Sequence, residues 1–214
     1  MAGEYIHARG TGNGKRVQSN LGAKNHAVIL PDAPEGAAKA LAGAAFGAAG
    51  QRCMALSAVV FVGEARNMLP QIIAEAQMYK VGSGFDEGID VGPLISKESQ
   101  ERVESIIAQS LDQGAVLELD GRGVAVSGYE SGNFVGPTVL SNIDRRNIAY
   151  TEEIFGPVLV CLEADTLDEA IELVNANPYG SFYTKRCLRQ KVRTRNRCRA
   201  SWRECSHSSA TPVL

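Results

Sequence analysis

"HAVILPDAPEGAAKALAGAAFGAAGQRCMALSAVVFV", residues 26–62, is the stretch on which the fold turns. It opens on "HAVIL" (26–30), a short apolar run suited to a buried strand. It closes on "SAVVFV" (57–62), a β-branched run that stops at Gly63 and reads as a second strand. Between them Asp32 stands as the expected cap of a helix with Pro34 in its first turn, running through "EGAAKALAGAAFGAA". Strand, helix and strand in that order form one crossover unit of a parallel sheet.

The same rhythm continues outward. Leu69, Ile72, Ile73 and Ala76 recur at helical spacing, and so do Val103, Ile106, Ile107 and Leu111, with Gly114 as a stop. "AVLELD" (115–120) and "PVLVCLEA" (157–164) read as strands. Thr166 and Glu169 have capping-box spacing ahead of Ala170, Ile171 and Val174, and Asn177–Pro178 ends that helix. The fold class expected is α/β, a mainly parallel sheet flanked by helices.

Composition narrows the class. The 214 residues are 44% hydrophobic with a net charge of −2, which fits one globular domain, or one domain and a piece of another. No stretch is apolar and long enough to span a membrane. The first residues, "MAGEYIHARGTGNGKRV", have neither the apolar core of a secretory signal nor the make-up of a transit peptide. Five cysteines are an odd number without secretory context, which argues for a reducing compartment and against a disulfide framework.

Charge divides the chain in two. From Ser181 onward nine Lys and Arg face a single acid, Glu204, a balance of +8, against −10 for residues 1–180. This tail has no apolar period of 2 or 3.6 and is expected to be disordered or poorly packed. Its Arg density would suit phosphates, with affinity falling steeply in salt, but composition alone is weak evidence for nucleic acid. The gaps between Cys187, Cys198, Cys205 and His207 match no common zinc pattern, so no metal is expected.

Cys53 is the best candidate for chemistry. It follows Gly50–Gln51–Arg52, where a helix gives way to a strand, so the thiol belongs on a turn. A guanidinium beside it favours thiolate, the reactive form. Most cysteines, however, are buried and inert, and the local signal alone leaves that reading open. His7, His26 and His207 are scattered, so a Cys–His pair would need the fold to make it.

Five segments settle the choice together: "VQSNLGAKN" (17–25), "FGAAGQRCMALS" (46–57), "DVGPLIS" (90–96), "GNFVGPTVL" (132–140) and "TEEIFGPVL" (151–159). Their order and spacing resemble those of aldehyde dehydrogenases, over nearly all of residues 1–180. Within that family the chain is most similar to the CoA-acylating branch that takes methylmalonate and malonate semialdehydes. The resemblance implies the family's catalytic domain over 25–180, NAD as cofactor and coenzyme A as co-substrate. It implies Cys53 as the nucleophile that forms a thiohemiacetal and then a thioester, its backbone N–H helping to hold the oxyanion. Glu153 matches the carboxylate for the nicotinamide ribose, Phe155 the aromatic beside that ring, and Leu21 is grouped with them for cofactor binding. Without the resemblance, Glu152–Glu153 would read as a solvated acidic pair and Phe155 as a core aromatic.

Asn20 selects the branch. Hydrolytic members of the family carry a glutamate at this position of "SNLGAK", and an amide cannot serve as the general base. The thioester would then persist until another thiol takes the acyl group. Arg52 is suited to grip a substrate carboxylate bidentately. Loss of carbon dioxide gives propionyl-CoA or acetyl-CoA.

The resemblance also sets expectations for the two ends. "MAGEYIHARGTGNGK" resembles the last helix of the dinucleotide-binding half, so residues 1–24 read as its remnant and Met1 as an internal methionine. Residues 184–214, back-translated and read one base later, resemble the family's continuation with its "G-x-N-V-P-I-P" segment, so 181–214 reads as a frameshifted tail. Such a catalytic half is expected to turn over poorly by itself. The rival readings are a non-catalytic fragment and a hydrolytic dehydrogenase of broad range. Family members are oligomeric, but their assembly strands fall where the tail stands, so this chain's assembly stays open. By family, a eukaryotic version is expected in the mitochondrion and otherwise in the cytoplasm.

Overall fold

The computed structural model describes residues 2–19, 22–179 and 186–188. Among them six strands form one sheet. Helix α1 (Ala2–Gly12) precedes strand β1 (His26–Ile29), helix α2 (Ala37–Phe46) and strand β2 (Ala58–Val62). Then come α3 (Leu69–Gln77), α4 (Lys97–Asp112), β3 (Val116–Leu119), β4 (Thr138–Ser141), α5 (Ile148–Thr151), β5 (Val158–Ala164), α6 (Leu167–Ala176) and β6 (Arg186–Leu188). The strand order is β3-β4-β5-β2-β1-β6. Every pairing is parallel except β3 with β4, which is antiparallel with a register shift between Leu117 and Leu119.

Burial follows from that topology. A parallel strand covered on both faces reads as an unbroken apolar run, and every residue of β1 and β2 is buried. Strand β3, at the sheet's margin, alternates exposed and half-buried residues instead. Helix α2 packs on α3 and β5, and α6 on β2 and β5. Alanines dominate the buried face of α2 (Ala37, Ala38, Ala42 and Ala45), which lets it lie close to its neighbours. Ile72 of α3, Ile107 of α4 and Val174 of α6 close the core with no solvent exposure.

The mainly parallel sheet flanked by helices agrees with the sequence, with some local corrections. The residue before helix α2 is Gly36, which is left-handed (φ 81) and gives no side-chain cap, so Asp32 is not its cap. A turn closed by Ala33 N–H to the Leu30 carbonyl (2.9 Å), followed by Pro34, separates Asp32 from the helix. At its other end α2 stops at Phe46, because Ala48 and Ala49 turn left-handed. Thr166 does cap α6, accepting from Glu169 N–H, while the Glu169 carboxylate accepts from Asp165 N–H at 2.8 Å, one residue before the expected position. Strand β4 begins inside a segment, 132–140, read from sequence only as a motif, and runs one residue past it. Residues 186–188 of the tail pair with β1, from Ala27 opposite Arg186 to Ile29 opposite Leu188, which the tail's lack of an apolar period did not foretell. Other expectations for 180–185 and 189–214 lie outside the described residues.

Candidate active site

Beyond Phe46 the chain makes an unusual arc. Ala48 (φ 52), Ala49 (φ 52) and Gly50 (φ 67) are left-handed in succession. For an alanine this costs on the order of 1–2 kcal/mol, so surrounding contacts must hold it. One is the approach of Gly50 to the Gly156 carbonyl, where an added Cβ would lie 2.1 Å from the oxygen. Only glycine permits that approach, and it sets the turn carrying Cys53 directly against the loop carrying Glu153 and Phe155.

Cys53 itself is exposed, at a turn closed by Ala55 N–H to the Arg52 carbonyl (2.9 Å). Arg52 Nη2 donates to the carbonyls of Gly43 (3.1 Å) and Ala44 (3.0 Å) near the end of α2. Both bonds use one nitrogen of the fork. Gln51 reaches the other way, donating to the Pro93 carbonyl (3.2 Å) and accepting from Ile95 N–H (2.9 Å). Asn25 donates through Nδ2 to the carbonyls of Cys53 (2.8 Å) and Ala55 (2.6 Å).

The facing loop is fixed as firmly. Glu153 accepts from Ala23 N–H at 3.0 Å. Arg102, from α4, donates to the carbonyls of Ile154 (2.8 Å) and Glu153 (2.6 Å). Lys24 is fully buried, and its Nζ donates to the carbonyls of Ala149 (2.5 Å) and Glu152 (2.6 Å). Burial lowers its pKa to about 7, against a weaker opposing pull from Glu153. Phe155 is left-handed (φ 57) and 45% exposed, so it is no core aromatic. Arg52, Glu153 and Phe155 line one cleft together with Asn25 and Gly50.

The five segments singled out in the sequence therefore meet. Residues 17–25 bond to 151–159 through Ala23 and Lys24, and to 46–57 through Asn25. Residues 46–57 bond to 90–96 through Gln51, and 90–96 to 132–140 through Leu94 N–H to the Asn133 carbonyl (2.8 Å). Asn20 and Leu21, expected at the site, lie outside the described residues. His26 is buried on β1, with Nε2 3.1 Å from the Tyr150 hydroxyl. Cys161, on β5, is buried and its thiol is pushed up by that burial, as an inert cysteine should be. Among the described residues no cluster of His, Cys, Asp and Glu could hold a metal ion, and no helix is long and apolar enough to cross a membrane.

Lys24, Asn25 and Arg102 were missed from sequence. Lys24 and Asn25 stand inside "SNLGAKN", and their position beside a buried strand was the available signal. Arg102 lies on a helix outside every motif and gave none.

Among the described residues, then, an exposed thiol stands on the turn before a central strand, and the cleft beside it is lined by a carboxylate and an open aromatic. The aldehyde dehydrogenase family model matches residues 1–191, and the chain belongs to that family. It is 57% identical over 182 residues to the acylating, mitochondrial methylmalonate-semialdehyde/malonate-semialdehyde dehydrogenase of Rattus norvegicus, covering 85% of this chain and 34% of that one. Among solved structures it matches the methylmalonate-semialdehyde dehydrogenase of Oceanimonas doudoroffii with TM-score 0.89 and 38% identity, over 93% of this chain and 41% of that one. A structure from Sinorhizobium meliloti 1021, assigned as a methylmalonate-semialdehyde dehydrogenase and complexed with NAD, gives TM-score 0.89 and 36% identity over the same shares, 93% and 41%. The chain thus spans about a third of the length of the curated relatives it matches.

Proposed function

We propose that this chain carries the catalytic apparatus of an NAD-dependent, CoA-acylating oxidation of methylmalonate and malonate semialdehydes. The observation that supports it most is the cleft that Arg52 lines together with Glu153 and Phe155 from a second segment, with Cys53 exposed on the turn next to Arg52. The Cys53 thiolate adds to the aldehyde carbon, and the carbonyl oxygen becomes an oxyanion stabilised by backbone N–H. NAD, when bound, accepts the hydride and so allows a thioester to remain on the cysteine. Glu153 and Phe155 fit its nicotinamide end: the carboxylate is oriented by Ala23 N–H and the ring stands open to the cleft. Arg52, braced on α2 by one nitrogen, retains the rest of its fork for a substrate carboxylate. With Asn20 where a glutamate base would stand, water is not activated. Carbon dioxide leaves from the carboxylate of the bound acyl group, and the bond's electron pair stays as an enolate that takes a proton from solvent. The CoA sulfur attacks the thioester carbonyl, so that Cys53 leaves as thiolate.

The test supplies methylmalonate semialdehyde, NAD and CoA to the protein and measures propionyl-CoA beside NADH. The expected result is slow CoA-dependent acyl-CoA formation, in keeping with a catalytic half that turns over poorly by itself, and its loss in Cys53→Ser. NADH formation at the same rate without CoA would mark a hydrolytic enzyme, and an absence of saturable NAD binding would mark a non-catalytic fragment.

Residues 1–24 are proposed to belong with a dinucleotide-binding region, 25–180 to form the catalytic domain, and 181–214 to be a shifted reading frame. Sequencing the transcript across codon 184 tests the last point. The rat and bovine relatives carry "mitochondrial" in their names, and the same compartment is proposed here for a eukaryotic source.

A further inference from the structure

Asn25 is the residue immediately before β1 and is 2% exposed. Its side chain gives the strand nothing. Nδ2 donates instead to the carbonyls of Cys53 (2.8 Å) and Ala55 (2.6 Å). Its backbone carbonyl accepts from the N–H groups of Ser57 (3.1 Å) and Ala58 (2.9 Å). One residue so fastens the backbone from 53 to 58 to the first strand of the sheet. The amide has only one workable orientation, since turned over it would set Oδ1 against two carbonyl oxygens. As it stands, Oδ1 is buried without a partner among the described residues. A buried acceptor left unpaired is uncommon and calls for a compensating role.

We propose that Asn25 is a positioning residue for Cys53, holding the nucleophile's turn from its C-terminal side as Gln51 and Arg52 brace it from the N-terminal side. The assignment rests on the reading of Cys53 as nucleophile. Two fixed flanks leave the Cys53 peptide little freedom, and an oxyanion donor is effective only when it is held in place before the reaction.

Two electrophiles separate positioning from general integrity. With 4-nitrophenyl acetate the sulfur adds to the ester carbonyl, an oxyanion forms, and its collapse expels 4-nitrophenolate. The acetyl group stays on sulfur and the thiol proton passes to solvent. With iodoacetamide the sulfur displaces iodide and no oxyanion forms. Both rates are read at Cys53 by peptide mapping, apart from the other cysteines, while buried Cys161 reports whether the fold has opened. Asn25→Ala and Asn25→Asp are expected to lower the ratio of acylation to alkylation at least tenfold with Cys161 unlabelled. Asn25→Gln, which keeps both donors, is expected to recover part of it. An unchanged ratio with normal acylation overturns the role of Asn25 alone. Labelling of Cys161 in the variants makes Asn25 a structural residue and overturns it too. If Cys53 in the unmodified chain accepts no acetyl group, the nucleophile reading itself fails.

Discussion

Lys24 carries an amine that meets no solvent and donates to two carbonyls, a demand that the two N–H bonds of a neutral amine satisfy. Burial holds its pKa near 7 in the folded chain against 10.5 for an ordinary lysine. Between those values the unfolded chain binds a proton that the folded chain does not, so this group makes stability rise with pH from about 7 to 10.5. The contribution is lost as pH falls through that window. The thermal midpoint of the unmodified chain should therefore gain more between pH 7 and pH 9.5 than that of Lys24→Met, which has nothing to titrate. Equal gains in the two proteins would show that Lys24 stays protonated in the fold. Polar residues beside an apolar run are easily read as loop, which is why Lys24 and Asn25 were illegible although the motif containing them was not.

At the scale of elements, the contact between the arc after α2 and the loop before β5 is the most exacting. Gly50→Ala sets a methyl against the Gly156 carbonyl at a φ of 67. Overpacking against backbone and left-handed strain together should destabilise the chain by about 2–4 kcal/mol in urea denaturation. Gly84→Ala is the control: nothing lies within 4 Å of its added Cβ, and it should be close to neutral. A matching small effect at Gly50 would mean that the two loops separate freely. Elements with strong local patterns were legible, namely β1, β2, β3, β5, α3, α4 and α6. The start of α2 was not, since a turn and Pro34 displaced the cap from Asp32 to Gly36. Nor was β4, whose four residues follow directly on Gly136–Pro137 and gave no turn-to-turn alternation. The three-residue strand β6 gains its place from β1 rather than from its own composition.

For the whole molecule, Cys53 and Cys161 report on different events. Cys53 is exposed, while Cys161 lies within β5 and is buried among the core residues. Labelling of Cys161 should require opening of the sheet and accelerate with urea as steeply as global unfolding, while Cys53 should label at rates nearly independent of urea below the transition. Labelling of Cys161 that is insensitive to denaturant would show that β5 opens locally.

The sheet order has a consequence for synthesis. Strand β2 sits between β1 and β5, and its register with β5 runs from Ala58 opposite Val160 to Val62 opposite Ala164. A ribosome delivers β1, α2 and β2 long before it delivers β5. Until then "AVVFV" has one edge of its backbone unpaired and carries no charge, the make-up of a segment that recruits other chains. The interval between these two strands is when the nascent protein is most open to aggregation, and occupancy of chaperones on ribosomes paused between codons 62 and 158 should be highest there.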